Sequence, residues 1–310
     1  MKALSLAAVV LAFVVIVVGA YVRLSDAGLG CPDWPLCYGH PVPEPVADAA
    51  AHGKAWKEMG HRYLAGTLGV LIIALVFLSF RSRKTAGLAA TILVLVVVQA
   101  TLGMWTVTML LKPAIVTAHL LGGMAILALL IWLCLSQFEF GSAQPGSSIR
   151  FYVAAALALL VVQIALGGWV SANYAALACP DLPGCRGAVL PKTDFANAFH
   201  VFRELGRTGD GELLPLDALV AIHWTHRMFA LVALGAIGLA VWKARAVPGL
   251  RCVAYLVAVL LVLQLFLGVA NVAFGLPLAL AAAHNAGAAL LLSSLVVLNF
   301  FSFKALRPFK

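Results

Sequence analysis

Residues 4–23, LSLAAVVLAFVVIVVGAYVR, run for twenty positions with no charge before Arg23. They lead into LSDAGLGCPDWPLCYG at 24–39, where two cysteines and two prolines fall within CPDWPLC. Twenty apolar residues rising about 1.5 Å each match the roughly 30 Å of a bilayer's hydrocarbon. The pattern then returns. Cys31, Pro32, Asp33, Pro35, Cys37 and Gly39 reappear as Cys179, Pro180, Asp181, Pro183, Cys185 and Gly187, all shifted by 148. The preceding helix aligns too, Gly19 with Gly167 and Val22 with Val170. The opening segment therefore has a partner inside the chain. With an apolar run longer than the about 7 to 15 residues of an export signal, it is expected to be a retained span and not a cleaved leader.

Beyond this segment the shift becomes 165 and stays there. His61-Arg62 matches His226-Arg227, Gln99 matches Gln264, Gly103 matches Gly268, and His119 matches His284. The 17-residue difference is an insertion in the second long loop. Leu and Ala repeat freely in apolar sequence, but His and Gln do not. The chain reads as a duplicated four-helix unit, residues 1–140 and 141–310, packed as one membrane body. An even number of spans per unit makes the copies parallel, related by a pseudo-two-fold axis along the membrane normal.

The whole composition agrees. Of 310 residues, 63% are hydrophobic and 11% charged, against about 25% charged in a soluble chain. The mean hydropathy of +1.03 comes from runs of span length and not from alternating barrel strands. The fold class is all-α integral membrane, with eight spans expected at 4–23, 62–80, 87–108, 114–135, 151–172, 219–242, 251–273 and 277–300. Eleven of the 21 Lys and Arg, among them Arg81, Arg83, Lys84, Arg251, Lys304, Arg307 and Lys310, fall on the side of the termini, against the single acid Glu139. The other side holds ten cations and eleven acids. Both termini are thus expected in the cytoplasm and the long loops, 24–61 and 173–218, outside it, in a cell (inner) membrane. The net charge of +9 is an orientation signal, and nucleic-acid binding is set aside.

Each CPDxPxC loop can be a metal knuckle, a redox pair or a structural disulfide. A short proline-rich gap on an oxidising face favours local disulfides, Cys31 with Cys37 and Cys179 with Cys185. No second Cys or His pair stands at fixed spacing beside either loop to favour zinc. Cys134 and Cys252 read as packing residues.

All eight histidines fall in the outer loops or the outer third of a span on this topology. His61 and His226 are expected to begin the second and sixth spans, while His119 and His284 lie several residues inside the fourth and eighth. A single polar group in a span can be a mere interhelical hydrogen bond. Two per half, with the spacing of 58 residues kept in both copies, point to ligands. Two imidazoles without a carboxylate or thiolate cluster suit a haem iron, whose porphyrin leaves two axial positions, better than a four-ligand zinc site. Two bundles imply two haems.

The copies differ at one position in particular. Glu58-x-x-His61 in the first becomes His223-x-x-His226 in the second, each pair on one helix face. Glu58 can overlook the porphyrin edge, or simply be an acid near a helix N-terminus. Arg62 and Arg227 can pair with haem propionates or anchor the span at the interface. Gln99 and Gln264 can hydrogen-bond across helices. Gly103, Gly122, Gly123, Gly167, Gly168 and Gly268 let helices or a macrocycle approach closely.

GAYVRLSDAGLGCPDWPLC, EMGHR and the duplicated His-Arg, Gln-x-x-x-Gly and later-His pattern together resemble the haem A synthase family over essentially all 310 residues. The resemblance implies an eight-helix oxidoreductase that converts one methyl of haem O to the formyl of haem A, through an alcohol and a hydrate that loses water. It implies His61 and His119 as axial ligands of the substrate haem, Glu58 beside the reacting edge, and His226 and His284 on a haem b relaying electrons. It makes the two Cys pairs local bridges. Partners implied are a haem O synthase as supplier and haem-copper oxidase assembly as acceptor, with a membrane electron donor unidentified and a homo-oligomer left open. The competing classes are a di-haem or quinol-linked electron carrier, in which Glu58 has no chemical duty, and a haem exporter using the loops around His40 and His200. His223, at the position of Glu58, is either a further polar contact to the retained haem or without a role.

Overall fold

The computed structural model describes residues 1–44, 48–82, 85–140 and 147–303. Arg83, Lys84, Lys304, Arg307, Lys310 and the seam that follows residue 140 lie outside the described residues. The described chain is all-helical, with α1 Lys2–Leu24, α2 Ala49–Ser82, α3 Ala86–Thr108, α4 Pro113–Leu135, α5 Ser147–Ala172, a one-turn α6 Phe195–Ala198, α7 Leu216–Ala244, α8 Arg251–Ala273 and α9 Leu278–Phe303. All but α6 are long and apolar enough to cross a membrane, eight in all among the described residues, as expected of a multi-pass membrane protein.

The main departure from the expected spans is α2, which begins at Ala49 and not at residue 62. Residues 49–61, AAAHGKAWKEMGH, hold helix formers in Ala, Lys, Glu and Met but are too polar to read as membrane. Hydropathy marks where a helix meets lipid; it does not mark where the helix starts. His61 therefore sits twelve residues inside α2, and His226 ten residues inside α7.

Among the first four spans α1 packs on α2 and α4, and α3 on α2 and α4; among the last four α5 packs on α7 and α9, and α8 on α7 and α9. The two sets meet where α1 touches α9, α4 touches α5, and α4 touches α9. The core runs along that seam, with Leu127, Leu130 and Leu133 of α4 and Leu291, Leu295 and Leu298 of α9 fully or almost fully buried. α9 is the most enclosed helix, while α3 and α8 carry the largest exposed apolar faces. Phe77 and Phe266 point outward as lipid-facing residues do.

Two tight turns place the later histidines. The Leu111 amide donates to the Thr106 carbonyl at 2.9 Å, and the Leu276 amide to that of Asn271 at 2.7 Å. Each bond reaches back five residues and closes α3 or α8 in a Schellman-type cap. α4 then starts at Pro113, a residue suited to a first helical turn, and runs back along α3.

At the C-terminal ends of α1 and α5 the two sets are also joined by polar contacts. Arg23 donates to the Ser171 carbonyl at 2.9 Å and lies 4.0 Å from the centre of the Tyr174 ring. The Tyr174 hydroxyl donates to Asp26 at 3.1 Å. Residues 23 and 171, and 26 and 174, are each 148 apart, the shift of the repeat itself.

Candidate functional site

Each of the four span histidines rests on a glycine of the neighbouring helix. A Cβ built on Gly19 would stand 2.8 Å from His61 Cε1; on Gly103, 3.1 Å from His119; on Gly167, 3.0 Å from His226; and on Gly268, 3.2 Å from His284. Real Cβ atoms essentially never come as close as 2.8 Å, and 3.0–3.2 Å is tighter than nine in ten of their contacts, so the glycines set the depth to which each ring can sit. The first and third pairs, and the second and fourth, are repeat partners. α2 and α4, which carry His61 and His119, both pack on α1 and α3, and α7 and α9, which carry His226 and His284, both pack on α5 and α8. The fold thus gathers His61 and His119 within the first four spans and His226 and His284 within the last four.

Polar clasps hold the backbone beside the rings. Gln99 donates to the His119 carbonyl at 2.7 Å, and Gln264 to the His284 carbonyl at 3.0 Å. Their amide oxygens lie hard against Gly122 and Gly287, so a larger residue at either glycine would expel the clasp. Gln163 of α5 donates to the His226 carbonyl at 3.1 Å and lies 3.2 Å from His226 Nδ1. Sequence reading passed over Gln163. Its signal was present, one amide in an otherwise apolar run, but its counterpart 148 earlier is Val15, so the repeat did not flag it. Val15 has no side-chain amide to give His61.

Above the rings, both cysteine loops are disulfide-closed, Cys31 to Cys37 and Cys179 to Cys185, as expected. Both loops are fastened to their helices by arginine. Arg62 donates to the carbonyls of Asp33 at 2.9 Å and Leu36 at 2.7 Å, and forms an ion pair with Glu58. Arg227 donates to Cys179 at 2.6 Å, Asp181 at 2.8 Å and Gly184 at 2.7 Å, and to His223 Nε2 at 3.2 Å. Glu58 is 4% exposed and also accepts from the Cys31 amide at 2.9 Å. So Glu58 and His223 occupy matched places one turn from a histidine and beside an arginine, one an acid and the other an imidazole. Within the loops, Asp33 accepts from the Tyr38 and Gly39 amides, and Asp181 from those of Arg186 and Gly187. These donors, Gly39 and Gly187 foremost, hold both carboxyls below their ordinary range.

The remaining histidines have surface roles. His40 pairs with Glu44 at 3.2 Å, His52 accepts from Trp56 at 3.0 Å, and His200 packs on Gly209. Cys134 is buried and Cys252 exposed. The insertion in the second loop folds over α5, where Trp169 donates to the Ala198 carbonyl at 2.9 Å and buried Arg203 is bonded to Asn173.

Among the described residues no three His, Cys, Asp or Glu side chains converge as a bare metal ion would require. Two imidazoles per half match a metal that arrives with its own planar ligand set, needing only axial donors. The donor chemistry and the glycine seats fit that need. The Nδ1 atoms of His61, His119, His223 and His284 are buried with no hydrogen-bond partner among the described residues.

The family described as cytochrome oxidase assembly protein matches residues 2–296. The chain is 41% identical to Heme A synthase of Shewanella oneidensis over 309 positions, covering 94% of this chain and 93% of that protein. It is 28% identical to Heme A synthase of a Caulobacter species over 340 positions, covering 96% and 94%. Heme A synthase of Halalkalibacterium halodurans is 29% identical over 228 positions, covering 70% of this chain and 73% of that protein.

Proposed function

As the chain belongs to the haem A synthase family, we propose that it oxidises one methyl group of haem O to the formyl group of haem A, through an alcohol and then the hydrate of the aldehyde, which loses water. In this reading His61 and His119 are the axial ligands of the substrate haem, and His226 and His284 those of a resident haem b. Haem b, when bound, supplies a one-electron relay out of the substrate site. The contacts between equivalent positions, 23 with 171 and 26 with 174, support a pseudo-two-fold arrangement of two four-helix halves.

One observation carries the division of labour: two matched histidine and glycine seats with unlike neighbours. The first has Glu58 and Val15 where the second has His223 and Gln163. A carboxylate is a competent acceptor for the protons that leave as methyl becomes alcohol and then aldehyde. Glu58 is oriented for this by the Cys31 amide and Arg62, so its carboxylate is fixed and does not swing with solvent. At the second seat Gln163 grips His226, as befits a ligand that stays in place. Arg62 and Arg227 stand beside the ligands while anchoring the loops, and their pairing with haem propionates belongs to the same reading.

The downstream acceptor is a haem-copper oxidase under assembly, a link the family description supports; the upstream supplier, a haem O synthase, follows from the proposed substrate alone. The excess of cations on the terminal side supports a cytoplasmic-membrane protein with cytoplasmic termini and outward-facing haem sites. The test is to express the full chain in cells supplied with haem O, then extract and chromatograph the haem. Wild type should accumulate haem A, and Glu58→Ala should not. Haem A from Glu58→Ala at the wild-type rate would remove Glu58 from the chemistry. Absence of haem A from wild type that still binds haem would favour the electron-carrier reading.

A further inference from the structure

At the opposite end of the bundle, the turn between α7 and α8 builds a cationic cleft to which the haem chemistry assigns no role. Trp242, Lys243, Arg245, Arg251 and Tyr255 line a cavity of about 520 Å³. No acid borders it, and none of the three cations has an ion-pair partner among the described residues. Lys243 Nζ lies 4.8 Å from the centre of the Trp242 ring, and Arg251 Nε donates to the Arg245 carbonyl at 3.2 Å.

Electrostatics make this grouping costly unless an anion joins it. Lys243 and Arg245 close α7, where the helix dipole welcomes cations. Arg251 is the first residue of α8, where the dipole repels a cation and favours an anion, yet the first turn of α8 has no acid and no side-chain cap. Three positive side chains and the positive end of a 23-residue helix thus address one cleft. An orientation signal needs cations near the surface but does not need them to converge. Nor does the duplication require it, since positions 165 earlier hold Phe77, Leu78, Phe80, Ala86 and Ala90.

The cleft opens onto an apolar wall. Val259, Val262 and Phe266 follow Tyr255 along one exposed face of α8, while Trp242 and Tyr255 are aromatic residues of the kind that sit at headgroup level. Basic pockets between helices at this level suit phospholipid headgroups. We propose that the cleft binds the phosphate of an anionic phospholipid, with its acyl chains lying along α8. The shared chemistry with a free phosphate ion is the oxyanion; the wall along α8 is what selects the lipid.

Native mass spectrometry of the full-length protein in detergent tests this, with dioleoylphosphatidylglycerol and dioleoylphosphatidylcholine as probes. The expected result is retention of phosphatidylglycerol in preference to phosphatidylcholine, weakened about tenfold or more in Arg245→Gln/Arg251→Gln. Should the double variant fail to keep the wild-type circular dichroism spectrum, Lys243→Gln and Arg251→Gln are each tested alone. Equal retention of both lipids by wild type, or undiminished phosphatidylglycerol retention in the folded variants, overturns the proposal. So does release of bound lipid by millimolar inorganic phosphate, which would make this a free-ion site.

Discussion

Gln163 of α5 holds His226 of α7 by its backbone carbonyl, at 3.1 Å, and lies 3.2 Å from the ring nitrogen Nδ1. Nothing at Val15, the matching place in α1, repeats this. The difference predicts unequal rigidity of the two seats. Gln163→Leu keeps the volume and loses the clasp, at a cost of about 1 kcal/mol per hydrogen bond. The expected outcome is reduced haem b content and a broadened low-spin electron paramagnetic resonance signal, with the substrate seat unaffected. Unchanged haem content and an unchanged signal would show that the clasp does not position the ligand.

The glycine seats give a graded series. Alanine at Gly19, Gly167, Gly103 and Gly268 would bring a methyl to 2.8, 3.0, 3.1 and 3.2 Å of a histidine ring, in that order of severity. Overpacking of this kind costs about 1–3 kcal/mol. Melting temperature and haem-to-protein ratio should fall in all four variants, most for Gly19→Ala and least for Gly268→Ala. Haem retained in all four at the wild-type ratio would mean that the rings do not need these seats.

The extent of each seat was only partly visible in the letters. The eight spans and the histidine pairing could be read because both are periodicities, one of hydropathy and one of the repeat. The thirteen helical residues of α2 before residue 62 could not, because Lys54, Lys57 and Glu58 hide a helix from a scale that measures lipid solubility. Arg62 and Arg227 were singled out as propionate partners or interfacial anchors, but their carbonyl partners lie 26 to 48 residues away and leave no mark on side-chain identity. Gln163 escaped because comparing the repeats finds shared residues, whereas its importance lies in being unshared.

The two loop arginines should differ in what their loss costs. Arg62→Ala strands the buried Glu58 carboxylate with the Cys31 amide, and breaking such a pair costs about 3–5 kcal/mol. Arg227→Ala leaves three loop carbonyls and His223, which need carry no charge, for a loss of about 1–3 kcal/mol. Thermal unfolding in detergent should show the larger drop for Arg62→Ala, with partial recovery in Arg62→Ala/Glu58→Gln. Equal drops, or no recovery, would mean that Glu58 does not depend on Arg62 for its charge.

The loop aspartates set a pH window. Backbone donors, Gly39 first for Asp33 and Gly187 first for Asp181, depress both carboxyls below the ordinary value of 3.8. A group whose folded pKa is depressed contributes stability that is present above its unfolded pKa and is lost as pH falls through the folded one. Loop order should therefore hold from neutral pH down to about 4 and fail only below that. Hydrogen-exchange protection of the Tyr38, Gly39, Arg186 and Gly187 amides, corrected for intrinsic rates, measures it. Asp33→Asn should remove the acid transition from the first loop and leave it in the second. Protection already lost between about pH 5 and 7, the range where histidine titrates, would transfer control of these loops from the aspartates to an imidazole.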